Sequence, residues 1–283
     1  MGGSHAYLQG TRGVRLHYRA WEIAEPRATV VIAHDLGEHS GRYESLARDF
    51  VRAGMSVYAL DTRGHGRSDG KRGHVRRFMH YIQDFERLRR RVEGTVGGDV
   101  PLFLLGHGLG ALIVLRYLEE YPGVGVRGAV LSAPLLGAPL RVASGRKRLT
   151  RLLRYVAPAL PVSTGLDPAS ESDDPDVVAS YRRDPMIHDR MTPRLLQEAD
   201  REIEVAVRKR DRIRAPTLWL LTPEDRIVGS DVTGELAAAM VLRTEGSRVR
   251  RYTGVHYHEL LQEASRSGAV ADMLGWIERR LVT

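Results

Sequence analysis

The sequence predicts an α/β fold: a doubly wound, mostly parallel sheet with an inserted helical cap. Three observations predict it. Short, continuously apolar runs recur along the chain, as expected of strands buried on both faces. Stretches with helical spacing separate those runs, the pattern of strand–helix–strand units. Between residues 135 and 204 the alternation stops and prolines accumulate, at 139, 158, 161, 168, 175, 185 and 193. Crossovers between parallel strands are right-handed, so successive units wind helices onto both faces of the sheet.

In chain order, residues 14–21 read as an early strand, and 28–33, Ala-Thr-Val-Val-Ile-Ala, as a buried one. Residues 43–53 have helical spacing and end at Gly54, and 56–60 form the next strand. Residues 78–93 are a long amphipathic helix, stopped near Gly94. A strand at 102–105 leads through a glycine-rich turn into an apolar helix at 111–121, followed by a strand at 128–132. Late strands fall at 217–221 and 249–252, and a helix at 270–281 closes the chain. The core is therefore expected at 1–134 and 205–283. The cap, 135–204, contains no clear strand and is expected over the carboxyl ends of the strands, where open α/β sheets bind ligands.

Composition bounds the function. The 283 residues are 42% apolar and 28% charged, enough for a sizeable core. Cysteine is absent, which excludes disulfides and thiolate metal sites and suits a cytoplasmic setting. No run approaches the ~20 apolar residues of a membrane span, and residues 1–5 lack a secretory leader pattern. The net charge is +8 and the pI about 10.0. Nearly all of the basic residues are arginine, a bias that a GC-rich bacterial genome explains without functional meaning. The functional alternative is peripheral contact with an anionic membrane or an acidic substrate. The basic runs at 72–77, 146–154 and 208–214 are scattered and lack interleaved aromatics, so no nucleic-acid partner is expected.

The chemistry centres on Gly106-His107-Gly108-Leu109-Gly110, which follows an apolar run and opens an apolar helix. That is the setting of the nucleophile elbow, the G-x-S-x-G turn that presents a serine at the top of an α/β-hydrolase sheet. Here the middle residue is Gly108, which has no side chain with which to attack a carbonyl. In such enzymes the triad follows in the order nucleophile, acid, base. Asp225, after the strand at 217–221, is the expected acid that would hold a histidine tautomer, with Glu224 as its neighbouring competitor. His258, between the last strand and the final helix, is the expected base, with His256 as runner-up. The His-x-His spacing also fits metal ligation, but no third ligand is identifiable, so neither a metal nor a cofactor is expected. The backbone N–H of Leu109, with one from the loop after 28–33, would form an oxyanion hole.

Several segments carry a family resemblance. His34 to Tyr43, HDLGEHSGRY, resembles the HGxGEHSGRY segment of monoacylglycerol lipases and bacterial lysophospholipase-like α/β-hydrolases. Leu60 to Gly70, LDTRGHGRSDG, is similar to the LDxRGHGxSxG stretch, and His258 to Glu263 to HExxNE. Residues 177–188 resemble the segment that follows the lid. The resemblance covers almost the whole chain, in order. It implies the α/β-hydrolase fold, a cap admitting one acyl chain, and an ancestry in cleaving monoacyl esters. It also implies Asp225 and His258 as triad acid and base and Leu36 and Leu109 as oxyanion donors. Four departures cluster at the same site. The elbow serine is Gly108, the glycine after His34 is Asp35, Thr222-Pro223-Glu224 replaces a small turn, and the histidine loop is one residue longer. Ungapped counting from Tyr252 puts Tyr257 at the base position, and counting back from Glu259 puts His258 there. Four departures around one site point to natural divergence.

Glycine adopts the elbow conformation without the steric cost that falls on a residue with a side chain. Serine-type ester hydrolysis is therefore expected to be impaired or absent, while binding of a small lipid-like or ester molecule is retained. Three functions compete: a ligand-binding pseudo-enzyme; a repurposed non-covalent enzyme in which His258 and Asp225, with Asp35, move protons; and a lipase or esterase whose serine has been replaced. Asp35 also has a plainer reading, a turn or cap aspartate ahead of the helix near Tyr43. As a replacement nucleophile it is disfavoured from sequence, because aspartate nucleophiles on this fold occupy the elbow.

Overall fold

A computed structural model describes residues 2–136, 153, 155–165, 172, 174–223, 225, 230–253, 258, 260–261 and 266–282. Its centre is an eight-stranded sheet of β1 (Ser4–Gln9), β2 (Arg15–Trp21), β3 (Ala28–Ala33), β4 (Met55–Leu60), β5 (Leu102–His107), β6 (Val126–Ser132), β9 (Thr217–Leu221) and β10 (Arg248–Arg251), in the order β1-β2-β4-β3-β5-β6-β9-β10. From β4 to β10 every pairing is parallel, and β2 and β1 extend the sheet antiparallel. The sheet is doubly wound and mostly parallel, as the apolar runs predict. β1 gives only a weak sequence signal, because most of its residues are exposed and only Ala6 and Leu8, on one face, pack against the core.

Helices cover both faces. Successive residues of a strand point to opposite faces, so Val31 and Leu104 join one core cluster while Val30, Ile32, Phe103 and Leu105 join the other. The first cluster receives Phe85 and Leu88 from α2 (Met79–Val96) and Ile113 and Leu115 from α3 (Leu109–Glu120). The second receives Phe50 from α1 (Glu44–Arg52) and Trp276 and Ile277 from the closing helix, Arg266–Leu281. The predicted stop of α2 near Gly94 is early. A mid-helix glycine weakens a helix by about 1 kcal/mol relative to alanine without ending it. The chain leaves the helix at Gly97, whose φ of 88° suits a C-terminal glycine and whose N–H donates to Glu93 O at 3.1 Å.

Between β6 and β9 the regular structure of the described residues is helical with one small exception. The two-residue strands β7 (Val162–Ser163) and β8 (Arg190–Met191) pair antiparallel, which no apolar run announced. The helices are α4 (Pro175–Arg183) and α5 (Pro193–Lys209), and α5 crosses the expected cap boundary at 204. Both begin with a side-chain cap and a proline in the first turn, from Asp174 and Thr192. Short contacts tie this region to the core loops. His188 N–H donates to Gly37 O at 3.0 Å, Thr192 N–H donates to Gly73 O at 2.9 Å, and His39 meets Asp184 at 2.8 Å. Arg116 of α3 also reaches Glu202 of α5 at 2.7 Å. A further helix, α6 (Ser230–Arg243), precedes β10, and Arg266–Leu281 is α7. Among the described residues no helix is long and apolar enough to cross a membrane.

Candidate active site

Parallel strands end on one edge of the sheet, and four of these ends build the site. At the end of β5 the chain turns sharply through Gly108, with φ 51° and ψ −116°, directly into α3. The Gly108 N–H donates to Ser132 O, at the end of β6, at 3.1 Å. Gly110 lets α3 press on the end of β3: a Cβ there would run into the backbone of Ala33 and His34. At Gly108 the obstacle is different. A Cβ at this position would fall on the Asp35 carboxylate, 2.5 Å from Oδ2 and nearer still to the other carboxyl atoms.

Asp35 follows β3, and its carboxylate takes the space above the elbow. Oδ1 accepts the Leu109 N–H at 2.5 Å, and Oδ2 meets His258 Nε2 at 3.1 Å. Asp35 therefore caps α3, whose first residue is Leu109, rather than the helix near Tyr43. A carboxylate at a helix N-terminus satisfies an orphan N–H and complements the helix dipole. The backbone beneath it is pinned. Asp35 N–H donates to Glu38 Oε2 at 3.2 Å, and Tyr43 Oη donates to the same oxygen at 3.0 Å. His34 Nδ1 lies 2.6 Å from Asp35 O, and its Nε2 accepts the Thr62 N–H at 3.0 Å. Burial lowers the pKa of His34, which fixes this ring as a neutral strut. Leu36, the other expected oxyanion residue, packs its partly buried side chain against the first core cluster.

His258 and Asp225 come from the loops after β10 and β9. His258 Nδ1 lies 2.8 Å from Asp225 Oδ2, and the ring is 1% exposed. Asp225 is held by its own turn, with its N–H donating to Thr222 O at 3.0 Å. Burial by itself would strip the proton from the imidazole. The charges and hydrogen bonds of Asp225 and Asp35 outweigh it and hold the His258 pKa well above the usual histidine value. His258 is thus an imidazolium donating Nδ1–H to Asp225 and Nε2–H to Asp35. The arrangement is a carboxylate–imidazolium–carboxylate row around a buried ring, with a backbone N–H on its outer end.

The sequence placed Gly108, Leu109, Asp225 and His258 around one point, and the structure brings these four and Asp35 together. His256, Tyr257 and Glu224 lie outside the described residues. His107 was not singled out. Its ring centroid is 4.9 Å from that of His258, and its Nδ1 is 3.1 Å from Ser132 Oγ. The available signal was a polar residue ending an otherwise apolar strand. Asp35, His107 and His258 each offer one ligand atom, all within 4.8 Å of one another.

Comparison with known proteins bears on this geometry. Residues 24–265 match the serine aminopeptidase S33 family. A monoacylglycerol lipase of Mycolicibacterium smegmatis is 35% identical over 277 residues, with 96% of each chain covered. The crystal structure of the Paleococcus ferrophilus monoacylglycerol lipase superposes with a TM-score of 0.81 at 32% identity, covering 94% of this chain and 99% of that one. A soluble variant of monoglyceride lipase from Saccharomyces cerevisiae, solved with a substrate analogue, shares the fold with a TM-score of 0.87 at 18% identity, covering 99% and 96%.

Proposed function

The chain belongs to the serine aminopeptidase S33 family of α/β-hydrolases, in its monoacylglycerol-lipase type, and from that premise we propose that it acts on a lipid-like monoacyl molecule without a serine acyl-enzyme. One observation carries the reading. The Asp35 carboxylate occupies the elbow's side-chain space and takes both groups a serine mechanism would use there, His258 Nε2 for the hydroxyl and the Leu109 N–H for the oxyanion. A site that had merely lost its hydroxyl would leave the imidazole facing space. Here the imidazole faces a second carboxylate, an acid–base pair at hydrogen-bonding distance with a third group orienting it. The chemistry supported is proton transfer at His258 Nε2, with Asp225 holding the ring and Asp35 accepting the proton. Gly108 contributes the space. The lipid-like molecule is inferred from relatives named as monoacylglycerol lipases.

A fluorophosphonate probe and p-nitrophenyl esters test this reading. The unmodified chain should remain unlabelled. Gly108→Ser alone should also remain unlabelled, because its side chain would collide with Asp35. Asp35→Gly with Gly108→Ser should become labelled and hydrolyse the esters, since the dyad and the Leu109 N–H are already in place. Labelling of a serine in the unmodified chain would overturn the proposal.

A further inference from the structure

The geometry points to Asp35 as a carboxylate nucleophile toward the strained three-membered ether ring (an oxirane) of a lipid-like molecule, with His258 first as proton donor and then as base. This rests on the reading above that such a molecule enters the site and that His258 moves a proton there. It goes beyond that reading by placing a covalent bond on Asp35. The sequence disfavours Asp35 as nucleophile because aspartate nucleophiles on this fold sit at the elbow. The structure removes that objection, because the Asp35 carboxylate reaches into the elbow's own side-chain volume from the neighbouring loop. Its side chain is 16% exposed, so it is oriented by two donors yet still reachable.

Two features select the electrophile. Attack on an ester carbonyl would need the Leu109 N–H for the developing oxyanion, and that donor is already bound to Asp35 Oδ1. Attack on a saturated carbon needs no such hole. The leaving group must also take a proton, because both ring nitrogens of His258 face a carboxylate oxygen, at 2.8 and 3.1 Å, and so both carry a proton. A halide would depart without one and leave His258 unable to activate water. A ring oxygen takes the proton and so converts His258 into the base that the next step requires.

The steps balance. Asp35 Oδ2 bonds to a ring carbon, the ring carbon–oxygen bond breaks, and the ring oxygen takes the proton from His258 Nε2. The product is a hydroxyalkyl ester of Asp35 beside a neutral imidazole whose Nδ1–H stays on Asp225. His258 Nε2 then takes a proton from water, and the hydroxide adds to Asp35 Cγ. Charge develops on Oδ1, where the Leu109 N–H already points. Collapse breaks the Cγ–Oδ2 bond, and His258 returns the proton to the departing alkoxide. The new carboxylic acid passes its proton to His258, which restores the ion pair and releases a vicinal diol. Oxirane and water have become diol, with Oδ2 carried into the product.

Dodecene oxide and styrene oxide are the probes. The unmodified chain should yield the diol. In ¹⁸O-water with enzyme in excess, the first turnover should give unlabelled diol and one ¹⁸O in the Asp35 peptide. His258→Gln should accumulate a covalent adduct of one oxirane mass, mapped to Asp35. Asp35→Asn, shown folded by its melting transition, should give neither adduct nor diol. Diol carrying ¹⁸O with Asp35 unlabelled would overturn the covalent step while leaving the proton-transfer reading standing. Absence of diol and adduct with both oxiranes, while calorimetry shows a monoacylglycerol still binding, would overturn this proposal alone. Turnover unchanged in both variants would remove both readings.

Discussion

Asp35→Asn isolates the interaction on which the site's electrostatics depend. Asp35 Oδ2 and His258 Nε2 are 3.1 Å apart. At an effective dielectric constant of about 20, two unit charges at that distance attract by about 5 kcal/mol, a ceiling on the interaction. A hydrogen bond to a charged group contributes about 1.5–3 kcal/mol net. Asparagine keeps the shape and an acceptor for the Leu109 N–H but removes the charge. Its amide also offers a donor to a neutral ring nitrogen, which further favours the deprotonated imidazole. The His258 midpoint should therefore fall by at least about one pH unit, each unit being about 1.4 kcal/mol. Burial then opposes the Asp225 charge with less help. The assay is NMR of ¹³C/¹⁵N-histidine-labelled protein from pH 5 to 9, with His258 assigned by its absence in a substituted chain. The sign for stability follows from the raised folded-state pKa. The ion pair contributes fully below the unfolded histidine value and is lost as pH rises through the folded one. The melting difference between the two chains should thus be larger at pH 6 than at high pH. A His258 midpoint unmoved by Asp35→Asn, or a neutral His258 at pH 7 in the unmodified chain, would refute the electrostatic assignment.

Gly108→Ala should lower stability. At φ 51° a side chain brings about 1–3 kcal/mol of backbone strain, and here it also displaces Asp35; a melting temperature equal to that of the unmodified chain would count against the packing described. Asp225→Asn should leave the fold intact yet reduce any His258-dependent turnover by orders of magnitude, since the ring loses its orienting acceptor; unchanged kinetics would place the relay elsewhere. Burial outweighs the neighbouring Arg116 and raises the Glu119 pKa from 4.5 to about 7. The native state therefore holds its proton longer than the unfolded chain, and stability should fall by about 3 kcal/mol as pH rises from 4.5 to 7. Glu119→Gln should flatten that slope in urea unfolding at stepped pH, and an unaltered slope would assign it to other groups.

What the sequence by itself determined is local. Runs such as Ala28–Ala33 and Thr217–Leu221 are apolar at all but one position, a threonine, which points to a sheet covered on both faces. The strand–glycine–helix pattern at 106–110 locates the turn, because a sharp bend at positive φ with close helix packing needs glycine there. The order of Gly108, Asp225 and His258 follows from the succession of strand ends. Features too short or too weakly patterned stayed hidden: β1, with only Ala6 and Leu8 turned to the core, the two-residue β7 and β8, and the persistence of α2 through Gly94.

Only the tertiary structure decided what fills the space beside Gly108. Asp35 meets Leu109 across 74 positions and His258 across 223. In the sequence Asp35 reads equally well as a turn residue, since an aspartate's local propensities say nothing of which helix end or imidazole its carboxylate will reach. Folding brings the ends of β3, β5, β9 and β10 to one edge of the sheet. There, a glycine at 108 leaves open the volume that a carboxylate from the adjacent loop occupies.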